Sequence, residues 1–229
     1  LDIGIYVCFA IAFAATATGL ASSLLSIESA EGEIADLSFK QLFIFGSAAQ
    51  LGALLGWFAF HRICRTKNSN SPADIVEIIA TSLATIVLVI IGLAIVGPLW
   101  IGFLNLIGYS YEEQEIVSRI REGGSNLEMA LMGILIILIA PICEEIAYRG
   151  TLYRFANGKM PDWLALALPS ALFSASHANV YAAFPLFILG IVLNLVYKRT
   201  GSLITPIIVH ALFNSITFVG LLNPSLFGQ

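Results

Sequence analysis

The side chains able to do chemistry in this sequence stand where they are most costly to keep. Glu144, Glu145, Arg149, His177, Asn194, His210 and Asn214 all fall in or against long apolar runs. An ionisable group inside a bilayer costs about 2.5–3.5 kcal/mol even on insertion scales, and it persists where it is paired or faces a polar cavity. Glu145 and Arg149 are spaced i, i+4, so on a helix they face the same way and are expected to form an ion pair. Glu144 is rotated about 100° from Glu145 and is able to point into a cavity; the plainer alternative is a charge clamp with Arg149. His210 and Asn214 repeat the i, i+4 spacing among Ile207, Ile208, Val209, Leu212 and Phe213. Alone, that stripe reads equally as a hydrogen-bonding pair that glues helices together. His177 closes the run Phe173-Ser-Ala-Ser-His177, where a satisfied interfacial histidine is the bland reading. Three polar stripes on three helices together supply a base, two imidazoles and an amide, which outweighs the bland reading of each stripe alone.

The elements that must position these groups are membrane helices. The chain has 229 residues, of which 58% are hydrophobic and 11% charged, with a mean hydropathy of +0.89. Soluble domains carry about 25% charged residues. Uncharged runs cover Ile3–Ile27, Gln41–Phe60, Ile78–Tyr111, Trp163–Tyr197 and Thr200–Gln229. A run of about 18 or more apolar residues is long enough to cross the roughly 30 Å hydrocarbon core as a helix. This composition excludes a water-soluble enzyme and a disulfide-stapled secreted domain, and the net charge of −4 offers no basic surface to nucleic acid. Cys8, Cys64 and Cys143 are odd in number and far apart, and are expected to be buried, inert thiols.

The expected fold is an all-α polytopic transmembrane bundle of about seven spans in one membrane domain, 1–229, with a short interfacial helix. Leu1 in place of a start methionine points to a trimmed N-terminus, and Leu1–Leu25 is expected as a span rather than a leader. An acidic loop with Glu28, Glu31, Glu33 and Asp36 follows. A second span covers about Phe39–Phe60 and a third about Asp74–Leu104, opened by Ser71-Pro72. Tyr111–Glu122 is charged with Ile116, Val117 and Ile120 on one side, and reads as a helix on the membrane surface or a solvated loop. The fourth span begins near Asn126. The 35 uncharged residues of Trp163–Tyr197 would make a helix of about 52 Å, too long for one crossing. His177-Ala-Asn179 and Pro185 offer a break, which predicts helices over about Asp162–Ser176 and Tyr181–Lys198. The last span covers about Ser202–Leu222. Arg62, Arg65, Lys67, Arg154, Lys159, Lys198 and Arg199, seven of the eleven Lys and Arg residues, fall in alternate loops on one side. The positive-inside rule then makes the N-terminus cytoplasmic and the C-terminus external.

With these residues in place, the sequence resembles a known family. Glu144-Glu145-x-x-x-Arg149, Phe173-x-x-x-His177 and His210-x-x-x-Asn214, in this order, look like the three motifs of the CPBP intramembrane proteases. That family includes the type II CAAX prenyl endopeptidases and the Abi-type bacteriocin-processing or immunity proteins. The flanks agree: Arg149-Gly150, then Leu189-Gly190 leading through Tyr197-Lys-Arg-Thr-Gly-Ser-Leu to Pro206 and His210. The likeness covers about Met129–Ser215, within a catalytic core of helices at 126–222. The spans of 1–125 carry no family signature and say nothing of the substrate.

The resemblance implies peptide-bond hydrolysis inside the membrane. Water needs a base, and a Glu144 carboxylate in a low-dielectric site suits that task. His177 would orient the same water or protonate the leaving amine. His210 and Asn214 would donate hydrogen bonds to the developing oxyanion, with Glu145 and Arg149 holding Glu144 in place. No cofactor is favoured. A zinc ion on Glu144, His177 and His210 is the alternative, since one carboxylate and two imidazoles are the ligand set of several hydrolytic zinc sites, although His-Glu-x-x-His is absent. The implied partners are the lipid bilayer and a membrane-associated peptide or protein, prenylated or not. Two other classes compete: a catalytically idle membrane scaffold of the same fold, against which the intact motifs argue, and a proton-coupled transporter, which would usually carry an internal repeat.

Overall fold

Why each helix starts and stops where it does is legible in its end residues. The computed structural model describes residues 39–63, 73–109 and 115–223, and all the regular structure among them is helical. Helix α1 covers Phe39–Ile63, α2 Ile75–Leu106, α3 Glu115–Glu122, α4 Asn126–Asn157, α5 Asp162–Ser176, α6 Val180–Thr200 and α7 Ile204–Leu222. Asp74 caps α2 by accepting from the Glu77 N–H at 2.8 Å. Ser125 and Glu128 open α4 with a reciprocal capping box: Glu128 Oε2 accepts from the Ser125 N–H at 2.9 Å while Ser125 Oγ accepts from the Glu128 N–H at 3.4 Å. Helix α6 starts at Asn179, whose Oδ1 accepts from the Ala182 N–H at 3.1 Å. It stops at Gly201, whose φ of 62° is left-handed and lets its N–H return to Tyr197 O at 2.9 Å.

Four helices, α2, α4, α6 and α7, are long and apolar enough to cross a membrane among the described residues. They fit the expected third, fourth, sixth and seventh spans. The first span, Leu1–Leu25, and the acidic loop lie outside the described residues, as do Cys8 and Cys64. The expected second span is helical as α1, a 25-residue element. The expected fifth is the 15-residue α5, which at 1.5 Å per residue reaches about 22 Å and falls short of the roughly 30 Å core. The break foreseen at His177-Ala-Asn179 is real, with α5 ending at Ser176 and α6 beginning at Val180. The surface segment is helical over Glu115–Glu122.

The chain forms two compact units. Among the described residues the first consists of 39–63, 115–147 and 214–223, the second of 73–109 and 148–213. In the first unit α1 lies along α4, so closely that a Cβ on Gly46 would stand 2.6 Å from Leu135 Cδ2. Ile120, Met132 and Phe218 make its buried apolar centre, with Phe43, Ile136, Ile137 and Leu221 around them. In the second unit α6 packs against both α2 and α5. Its core is Val89, Phe173, Leu189, Leu193 and Val209. Gly190 lets α5 and α6 meet, because a Cβ there would stand 2.9 Å from Ser170 Cβ and 3.0 Å from its Cα.

Helix α4 departs from regular geometry twice. Over Leu135–Ile139 it widens, and the Ala140 N–H donates five residues back to Leu135 O. A second wide turn covers Tyr148–Tyr153. Each such π-type turn admits an extra residue, and these turns recur at functional sites. The Glu144-Glu145 pair lies in the regular stretch between them, Ala140–Ala147.

Candidate functional site

In the second unit the buried Phe173 ring gathers the motif side chains around itself. The His177 ring meets it at 4.9 Å between centroids and 68°, and the His210 ring at 5.6 Å and 83°, both edge-on. The Tyr148 ring approaches at 5.3 Å and 84°, and the Arg149 guanidinium carbon stands 4.9 Å from the same centroid. Ring quadrupoles favour such edge-to-face pairs and a cation near an aromatic ring. Phe173 and Arg149 are fully buried and His210 nearly so, at 2% exposure.

His177 terminates α5, and its backbone N–H turns back to Ser174 O at 3.2 Å. Its Nδ1 lies 2.8 Å from Phe173 O. A carbonyl only accepts, so Nδ1 must carry the proton and the lone pair sits on Nε2. Such a bond fixes both ring orientation and tautomer, as a base or a metal ligand requires. The next residue, Ala178, has a φ of 47°. Few residues other than glycine or asparagine take the left-handed region, and this one folds α5 back into α6 immediately after the histidine.

The buried Arg149 charge is gripped from α6. Its Nε donates to Asn194 Oδ1 at 3.2 Å and its Nη2 to Gly190 O at 3.1 Å. The Asn194 amide in turn donates to Leu166 O and to Ser170 Oγ, each at 3.0 Å. One amide thus ties α5 and α6 together and presents its oxygen to the guanidinium. Glu145, of the first unit, is fully buried as well.

In the first unit Glu144 is half-buried, and Gln50 Nε2 of α1 donates to its Oε1 at 3.4 Å. Asn214 Nδ2 donates to Ile136 O at 2.9 Å. The wide turn explains this bond. In a regular helix the Ala140 N–H would serve Ile136 O; here it serves Leu135 O, and Asn214 satisfies the carbonyl left over. One of the two Asn214 N–H groups is therefore committed to joining α7 to α4.

His177, His210 and Arg149 are thus brought together around one ring in the second unit, while Glu144, Glu145 and Asn214 belong to the first. Within either unit, no group of three or more His, Cys, Asp and Glu side chains among the described residues is placed to hold a metal ion. Cys143 is a free, buried thiol. Sequence reasoning passed over Phe173, read only as a motif flank, because a phenylalanine in an apolar run carries no signal. Gln50 was also passed over, although an amide in the middle of the apolar run Gln41–Phe60 is such a signal. Asn194 was singled out as a polar group, but its grip on Arg149 depends on which helices pack together.

Comparison with known proteins bears on the same region. Residues 126–216 match the family model of type II CAAX prenyl endopeptidase Rce1-like proteins. The match takes in all three motifs and bears out the resemblance to the CPBP intramembrane proteases. An uncharacterized protein of Mycoplasma capricolum subsp. capricolum is 31% identical over 119 residues, 51% of this chain and 35% of its own length. An uncharacterized 24.3 kDa protein of Escherichia coli is 28% identical over 88 residues, 36% of this chain and 41% of its own. The UPF0177 protein YbdI of Lactococcus lactis subsp. lactis is 31% identical over 87 residues, 38% and 46% of the two chains. The chain spans less than half the length of these relatives. No solved structure matches. Four long apolar helices mark the chain as an integral membrane protein, and its 126–216 segment is similar to a protease family.

Proposed function

We propose that this protein is an intramembrane endopeptidase that hydrolyses a peptide bond in a membrane-associated substrate, as in CAAX-type or leader-peptide processing. The observation that carries the reading is the His177 ring: half-buried and edge-on to Phe173, with Nδ1 tied to a backbone carbonyl, which leaves Nε2 of the neutral ring as the acceptor, in the segment matched by the protease family. Glu144 is the general base. It takes a proton from water as the water attacks the scissile carbonyl, and later delivers it to the leaving amine. His177 Nε2 accepts a hydrogen bond from the same water and orients it. His210, and the second N–H of Asn214, donate to the oxyanion that forms. Arg149, held by Asn194 and Gly190, keeps the Tyr148–Tyr153 turn in place. This scheme uses no metal. The alternative assigns Glu144, His177 and His210 as zinc ligands.

The test is cleavage by the purified full chain of a membrane-tethered peptide library, or of a prenylated C-terminal peptide. Glu144→Gln preserves shape but takes no proton, and should lower the rate by at least about 10²-fold. His210→Ala removes one oxyanion donor and should cost about 10²–10³ in turnover. Groups that act on one water are not additive, so Glu144→Gln combined with His177→Ala should cost little more than the worse single change. Full cleavage by Glu144→Gln would remove Glu144 as the base, and full in-cell function without cleavage would leave a scaffold role in place of catalysis. Stoichiometric zinc in active protein, lost together with activity in His210→Ala, would replace the metal-free scheme with the zinc one.

A further inference from the structure

Between α2 and α6 of the second unit runs an apolar groove of about 600 Å³. On α2 it extends from Ala80 to Leu93 and on α6 from Arg199 back to Ile188, lengths of about 20 and 17 Å at 1.5 Å per residue. One leaflet of the hydrocarbon core is about 15 Å deep, so the groove has the length of a single acyl chain. Its ends differ. At one end the two helices are joined where the Ala73 N–H donates to Thr200 O at 2.9 Å, and the groove is lined by Arg199 nearest that end, with Thr81 and then Thr85 farther in along the facing helix. Toward the other it is lined only by aliphatic side chains and Gly92, where an added Cβ would meet nothing within 4 Å.

Of the other charges near the polar end, Arg154 hydrogen-bonds the Tyr197 side chain of α6. Lys198 is paired with Asp162 at 2.9 Å, and the Asp74 carboxylate caps its own helix. The Glu77 side chain is exposed on the first turn of α2. Among the described residues Arg199 has no hydrogen-bond or ion-pair partner. A guanidinium at the mouth of a one-leaflet apolar slot matches an amphiphile with an anionic head and one buried chain.

We propose that this groove is a binding site for an anionic phospholipid, one acyl chain lying between α2 and α6 and its phosphate on Arg199. The assignment does not depend on the protease reading. It is tested by native mass spectrometry of the full chain, extracted from vesicles with equal parts phosphatidylglycerol and phosphatidylcholine. The wild type should retain phosphatidylglycerol preferentially. Arg199→Gln should cut that preference about fivefold, the weight of one basic residue at an anionic bilayer surface, and Arg199→Lys should keep most of it. Gly92→Phe should fill the slot and reduce retention of both lipids; Ala84→Phe serves the same end if that variant does not fold. Unchanged preference in Arg199→Gln overturns the proposal, and so does undiminished retention in the folded plug variants. Displacement of the bound lipid by equimolar geranylgeraniol would assign the slot to an isoprenoid chain instead, which also overturns it.

Discussion

A side chain with no chemistry of its own organises the groups that have it. Phe173 presents its ring to two imidazoles, a phenol ring and a guanidinium. Each aromatic pair is worth about 0.5–1.5 kcal/mol beyond its buried area. Phe173→Leu keeps the site apolar and removes all of these contacts at once, so the folded state should lose about 1–3 kcal/mol, read as a lower midpoint of thermal unfolding in detergent. Activity measured well below that midpoint should fall further than the unfolded fraction accounts for, because the imidazoles lose their orientation. An activity loss that only tracks unfolding would reduce Phe173 to core packing. The reactive types were legible because Glu144, His177 and His210 are conspicuous in apolar text. Phe173 was not, since its importance lies in what surrounds it after packing. The wide turn at Tyr148–Tyr153 was not legible either, since spacing arguments assume a constant 3.6 residues per turn.

Helices α5 and α6 work as a clamped hairpin, and the clamp is a missing side chain. Gly190 opposite Ser170 brings the backbones close enough for Asn194 to reach both Ser170 Oγ and Leu166 O, and for Arg149 to reach Gly190 O. Gly190→Ala would place its Cβ about 3 Å from Ser170 Cα, inside normal contact, and the neighbour there is backbone that has little room to give. Overpacking of this kind costs about 1–3 kcal/mol. The variant should unfold at lower temperature and show faster amide exchange in both helices. A Gly190→Ala protein as stable as the wild type would show that the hairpin tolerates separation. The extent of this hairpin was readable from the sequence, since a 35-residue uncharged run cannot cross once and His177-Ala-Asn179 was the natural break. The wide turns of α4 were not readable. A π-type turn leaves no compositional mark, and the one at Leu135–Ile139 shows only through Asn214, which meets the carbonyl that the turn leaves over.

At the scale of the whole molecule the sequence speaks unevenly. The family match and all three motifs lie within 126–216, so the preceding spans and the substrate they would admit are not legible from it. Sidedness has a physical basis within the second unit alone. Helices α2 and α6 run antiparallel: one end holds the Ala73–Thr200 bond with Lys198 and Arg199 beside it, the other holds Trp100, Tyr109 and Tyr181. At that second end Trp100 Nε1 donates to Val180 O at 2.8 Å, and the Tyr109 and Tyr181 rings meet at 5.7 Å. Tryptophan and tyrosine collect at bilayer interfaces, and lysine and arginine on the cytoplasmic side. The basic end should therefore face the cytoplasm and the aromatic end the exterior, in line with an external C-terminus. With Cys8, Cys64 and Cys143 replaced by alanine, a single cysteine at the exposed Lys159 position, between α4 and α5, should react with a membrane-impermeant maleimide only after the cells are opened. One at the exposed Tyr109 position should react in intact cells. The reverse pattern would invert the topology and place the α5–α6 hairpin, with His177 at its tip, toward the cytoplasm. It would also move the Arg199 end of the groove to the outer leaflet, where the positive-inside bias gives a basic residue no reason to be.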